Sequence, residues 1–232
     1  MSVTTQGTEQ NIPPFFFELP DGFHPLPLDT AAAGEERREA LGRLVREIYP
    51  NGDDRIWNGF APVYDGVTDA MLGAGLEFAA MGFFDTGSGG VAQCSFTIAV
   101  VPSQHASPEI AANGIQEVLA RTAAGVDVLR LDLACGPAVA GISVQEVTFN
   151  GAYTATGKDA PLRMGRLQAY VPFPNGPCLA VLTLETAAME YWENFSVMLG
   201  TVLKSVAFPT VDAHAAGEAV GEAVGTTSPG QV

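Results

Sequence analysis

Basic side chains are scarce in this sequence: 11 Lys and Arg stand against 26 Asp and Glu among 232 residues, for a formal net charge of −15. Nucleic acids and anionic membranes are bound by clustered Lys and Arg that displace counterions from phosphates. Neither is expected as a partner. The one place where arginines gather, Arg37, Arg38, Arg43 and Arg46, is interleaved with Glu35, Glu36, Glu39 and Glu47. That spacing predicts a solvated helix face with i,i+4 ion pairs.

Cysteine and histidine are equally sparse. Cys94, Cys135 and Cys178 lie far apart with no CxxC spacing, and an odd count in a long chain argues against a disulfide framework. Beside apolar strands such residues act as small hydrophobes. His24, His105 and His214 have no second His or Cys at ligand spacing, so no metal is expected. The Gly-x-Ser-x-Gly elbow of esterases is missing. A fold-assembled dyad of Cys135 with His24 or His105 as base is the enzyme alternative. The acids Asp53-Asp54 and Asp127 with Asp132 are not placed across a cleft by any pattern. Thr86 to Gly90 is rich in glycine, but no Lys follows it and a strand pattern does, which predicts a hairpin turn instead of a phosphate cradle. No catalytic residue and no cofactor is therefore expected. Met1 to Pro13 lacks the basic start and apolar run of a signal peptide, and no apolar run is long enough for a bilayer. A cytoplasmic location is the expectation.

What is present is apolar and patterned. With 47% hydrophobic residues and 13 Phe, the chain can bury one full core. We assign it to residues 12–208, an arm and helix over 12–66 and a core over 67–208. Residues 1–11 and the acidic Gly/Ala-rich tail 209–232, with its repeated Gly-Glu-Ala-Val, are expected to be disordered. Arg163 to Phe173 puts Leu167, Ala169, Val171 and Phe173 on one face by period-two spacing. Pro174-Asn175-Gly176-Pro177 then turns the chain into a second strand, Cys178 to Thr186. Trp192, Phe195, Leu199, Val202 and Leu203 follow at helical spacing, and Lys204 to Phe208 reads as a closing strand.

Earlier in the chain, Ile12 to Leu19 carries Phe15, Phe16 and Phe17 between prolines, an arm or a strand of the main sheet. Asp29 or Thr30 is expected to cap a helix that runs to Ile48 and stops at Pro50-Asn51-Gly52. Asp53 to Gly66 reads as a loop pinned by Trp57, Phe60 and Tyr64, and Val67 to Ala74 as a short helix. Leu76 to Asp85 and Val91 to Val101 make a hairpin. Ser107-Pro108-Glu109 opens a helix with Ile110, Ile115, Val118, Leu119 and Thr122 facing inward, closed by Gly125. Strands follow over Val126 to Leu133 and Ile142 to Phe149, separated by a Gly136-Pro137 turn. The expected class is α+β: an antiparallel sheet covered by helices.

The order of these elements, and above all the aromatic at the last helix start followed by Val202-Leu203-Lys204-Ser205-Val206-Ala207-Phe208, resembles the Mog1/PsbP-like superfamily. The similarity covers about Leu76 to Phe208. It implies an α/β/α sandwich and a binding, scaffold or chaperone role without a catalytic centre, and it transfers no site residue. Tyr and Trp dominate protein interfaces. Phe15, Phe16, Phe17, Trp57, Phe60, Tyr64 and Tyr153 are accordingly the candidate contacts for another protein. A small-molecule or lipid-binding module is the alternative, and an edge strand leaves a homodimer open.

Overall fold

The computed structural model of the chain describes residues 2–4, 14–28, 34–122, 124–149, 151 and 157–209. The expected tail from residue 210, the Asp29 or Thr30 cap, His214 and Tyr153 lie outside the described residues.

Seven strands form one antiparallel sheet: β3 (Phe23–Pro25), β4 (Phe78–Asp85), β5 (Val91–Pro102), β6 (Val126–Leu133), β7 (Gly136–Phe149), β8 (Ala160–Pro172) and β9 (Cys178–Thr186). Their order is β3-β4-β5-β9-β8-β7-β6. Four helices, α1 (Glu35–Ile48), α2 (Asp54–Gly73), α3 (Pro108–Thr122) and α4 (Trp192–Ser205), pack on its two faces. The fold is α+β, as its patterning implies.

One face carries the main core. Phe96 and Ile98 of β5, Leu184 and Leu182 of β9, and Leu167 and Ala169 of β8 stand in register and are buried beneath Phe195, Leu199, Val202 and Leu203 of α4. The period-two and 3.6-residue patterns meet here because each supplies one apolar surface that only the other can cover. The Phe arm completes this layer and is not part of the main sheet. Phe15 and Phe17 are 0% and 1% exposed, while β2 (Phe16–Glu18) forms a separate ribbon with β1 (Ser2–Thr4). Part of the terminus expected to lack order is therefore paired, because an extended arm leaves backbone donors and acceptors that a second strand satisfies. The closing strand shrinks to a single bridge at Ala207, whose N–H donates to the Phe16 carbonyl at 2.9 Å.

On the opposite face, α1 and α2 cover Ala79, Met81 and Phe83 of β4. The loop expected over 53–66 is instead continuous with the helix after it. Asp53 caps α2, accepting from the N–H groups of Arg55 and Ile56 at 3.0 Å. Trp57, Ala61, Tyr64, Thr68 and Met71 recur at steps of four and three, one buried stripe. Gly59, Gly66 and Pro62 hide that stripe, yet burial against α1 outweighs their poor helix propensity. Arg37 locks the two helices, reaching Asp65 at 2.8 Å and Asp69 at 2.7 Å. The turn between β6 and β7 is Ala134-Cys135; Gly136 and Pro137 already pair with Leu133 and Asp132.

Candidate functional site

The aromatic candidates divide by burial. Phe15, Phe17 and Tyr64 are core residues, and burial, with a hydrogen bond to Tyr49, pushes the Tyr64 phenol well above its ordinary range. Trp57 is half-buried; its indole N–H donates to the Tyr49 carbonyl at 3.0 Å and Arg46 lies 5.2 Å from its ring centroid. It fastens α2 to the end of α1. Phe60 stacks on Tyr49 at 4.7 Å and remains 40% exposed, as Phe16 does at 41%. These two rings lie on different layers and do not form one patch.

A different surface is apolar and open. α3 packs over β6, β7 and β8, with Ala111 and Ala112 buried and Leu119 above Gly141. The larger residues expected to face inward do not: Ile110 is 59% exposed and Val118 55%. With Ala111, Gly114 and Ile115 they form one wall of a groove of about 500 Å³, whose floor is Val101, Leu179 and Tyr170. Small residues at 111 and 112 let the helix lie close to the sheet, and the larger ones are left at its rim.

Beyond Tyr170 the sheet face beside the groove becomes polar. Gln168 of β8 donates to the Thr183 hydroxyl of β9 at 3.0 Å and accepts from the Tyr170 phenol at 2.6 Å. Next in register, Arg166 donates to Glu185. Burial pushes the Tyr170 phenol up, partly countered by the Arg166 charge. These side chains lock one another along strand pairs, so the sheet face next to the groove, beyond Tyr170, is polar.

Glu77, just before β4, alternates with buried Phe78 and so projects to this same face. Burial holds its carboxyl above the usual 4.5. The folded state then binds that proton more tightly than the unfolded chain does, and stability falls as pH rises through the window just above 4.5. Glu77→Gln is expected to raise the thermal midpoint at pH 7 and to flatten its dependence between pH 5 and pH 7. Circular dichroism melts at several pH values check this; an unchanged midpoint at pH 7 would remove the burial argument.

Among the described residues no hydrogen bond joins Cys135 to His24 or His105. Cys135 packs against the α4-side core, and burial pushes its thiol up, away from the thiolate a nucleophile needs. His24 is on β3, six strand spacings or about 29 Å across the sheet from the β6–β7 turn, and lies 3.1 Å from Glu47. His105 has both ring nitrogens engaged, Nδ1 with the Ser103 hydroxyl and Nε2 with the Phe173 carbonyl at 3.3 Å. It ties the loop before α3 to the end of β8. Among the described residues no cluster of three potential metal ligands occurs, and no helix is long and apolar enough to cross a membrane. Compared with known protein families and with curated proteins, the chain matches none.

Proposed function

We propose that this chain is a non-enzymatic, protein-binding adaptor or chaperone-like domain of the Mog1/PsbP-like type, acting in the cytoplasm. Its docking surface is the groove beside α3, and its occupant is an amphipathic segment of a partner protein. The carrying observation is the open stripe of Ile110, Ile115 and Val118 facing Val101 and Leu179. A helix that leaves its large apolar residues at a groove while burying its alanines is built to be covered from outside. The polar ladder from Tyr170 to Glu185 supplies the hydrogen-bonding side of such a segment. The charge of −15 favours a segment whose polar face is basic.

Ile110→Asp and Val118→Asp place charge in the groove at positions exposed enough for stability to change by only about 0.5 kcal/mol. Partner capture from native cells with wild type, these two variants and Phe60→Asp tests the reading. A partner held by wild type and Phe60→Asp but lost from both groove variants supports it, with an expected weakening of about 2 kcal/mol on truncation of a central contact. Retention of every partner by both groove variants overturns it.

The second reading, a lipid or small-molecule carrier, is favoured by the volume alone: about 500 Å³ lies within the range of ligand pockets. Saturable displacement of a fluorescent fatty acid by unlabelled fatty acid, abolished in Ile110→Asp, would select it.

A further inference from the structure

The two edges of the sheet are unlike. β3 is three residues long and contains Pro25, which shields it from pairing. β6 is eight residues long, Val126-Asp127-Val128-Leu129-Arg130-Leu131-Asp132-Leu133, and has no Pro, Gly or Lys. It pairs with β7 on one side, and among the described residues nothing pairs with the other. Natural edges of this length are blunted by charge, bulges or cover; on its leucine face this one carries a single charge, Asp127 near its start, and none from Leu129 to Leu133.

We propose that β6 pairs with β6 of a second copy, antiparallel about a two-fold axis through Leu131, so that the two sheets join into one. A two-fold axis normal to the sheet keeps each face on its own side, so residue i must oppose a residue of the same parity. That leaves few registers. Centres at 128, 129 or 130 each set Asp127 against a leucine, and the centre at 130 also sets Arg130 against itself. A centre at 132 sets Asp132 against Asp132. The centre at 131 is complementary from Leu129 to Leu133: Leu131 opposes Leu131, Leu129 opposes Leu133 twice, and Arg130 opposes Asp132 twice, while Asp127 falls opposite the β6–β7 turn at Cys135. Like charges directly opposite destabilise a ladder and opposite charges support it.

The side chains are already disposed for this pairing. Leu129 is 48% exposed, and Leu131 and Leu133 are half-buried on the α4 face. Joining two copies aligns six leucines in one row and removes them from water. Val144 of β7, 46% exposed on that same face, widens the apolar strip. On the α3 face, Arg130 is held in place by Glu109 at 2.6 Å and Asn113 at 3.0 Å. Asp132 is exposed and, among the described residues, has no ion-pair partner. The second copy supplies one.

Two experiments test the register on the full chain. In a Cys135→Ser background, Leu131→Cys is expected to cross-link to itself under mild oxidation. Leu129→Cys is expected to cross-link only when mixed with Leu133→Cys, since opposed residues on paired strands fall within disulfide reach. In solution, light scattering after size exclusion is expected to show a dimer at tens of micromolar protein. Asp132→Arg is expected to weaken it at least tenfold, and Arg130→Asp with Asp132→Arg to restore it. A wild-type monomer at these concentrations overturns the proposal, and so does self-linking of Leu129→Cys in preference to Leu131→Cys. Neither Ile110 nor Val118 lies on this edge, so a failed dimer leaves the groove reading to its own test.

Discussion

Phe17→Ala is expected to destabilise the protein by about 3–5 kcal/mol, the range for removing a buried Phe from a packed core. Phe17 is 1% exposed, and its ring stands edge-on to Phe78 at 5.2 Å and tilted to Phe15 and Phe96 at 5.9 and 6.1 Å. Those neighbours come from β4, β5 and the arm itself. No side chain nearby can fill the vacated volume without leaving its own contacts. The arm is anchored at two further points, the Phe16–Ala207 bridge and the Glu18 N–H donated to the Ser205 hydroxyl at 2.8 Å. Losing Phe17 therefore loosens the cover of α4 as well as the arm. Urea unfolding of Phe17→Ala beside Phe16→Ala gives the contrast. Phe16, at 41% exposed, is expected to cost about 1 kcal/mol or less. Equal effects at the two positions would show that the arm is not part of the core.

Gly165→Ala is the second large effect, about 1–3 kcal/mol, with the upper end expected for a clash against a ring. Gly165 sits mid-strand on β8, paired with Val144 and Thr186. A Cβ built there would lie 2.2 Å from Trp192 Cζ3, 2.6 Å from Trp192 Cε3 and 3.0 Å from Met189 Sδ. A Cβ cannot occupy those positions unless the indole moves as a unit. Trp192 begins α4, so the displacement reaches the helix that covers the main core. Thr186 leaves that start little slack: its hydroxyl donates to the Gln93 carbonyl at 2.6 Å and accepts the Ala188 N–H at 3.0 Å. Removing the ring should relieve the clash. Trp192→Ala is expected to cost less in the Gly165→Ala background than in the wild type, a coupling that a double-mutant cycle reads directly. Additive costs would mean that the ring and the glycine do not share that space.

Much of the architecture could be read residue by residue. Leu167, Ala169 and Val171 and the pair Leu182 and Leu184 alternate as half-covered strands must, and Phe195, Leu199, Val202 and Leu203 recur as a covering helix must. Ser107-Pro108 opened α3 where expected, with the Ile110 N–H donated to the Ser107 hydroxyl at 3.3 Å. The first half of α2 reads as a loop because its signal, a stripe from Trp57 to Met71, is interrupted by Gly59, Pro62 and Gly66. The cap at Asp53 was available to find it. Residue type alone does not separate Phe17, which fills the core, from Phe60, which stands at its rim.

From its residues alone, this chain determined most of its strands and helices and which side of most of them is apolar, because those properties repeat at two and 3.6 residues within one segment. Where each apolar side ended up was decided by tertiary structure. β9 returns from the far end of the chain to lie beside β5, and α3 settles over β6, β7 and β8 with its alanines down and Ile110 and Val118 at the rim. Strand order and helix placement depend on pairings between residues far apart in sequence. A local period carries no record of such partners, so the groove and the free edge of β6 emerge only once the sheet is assembled.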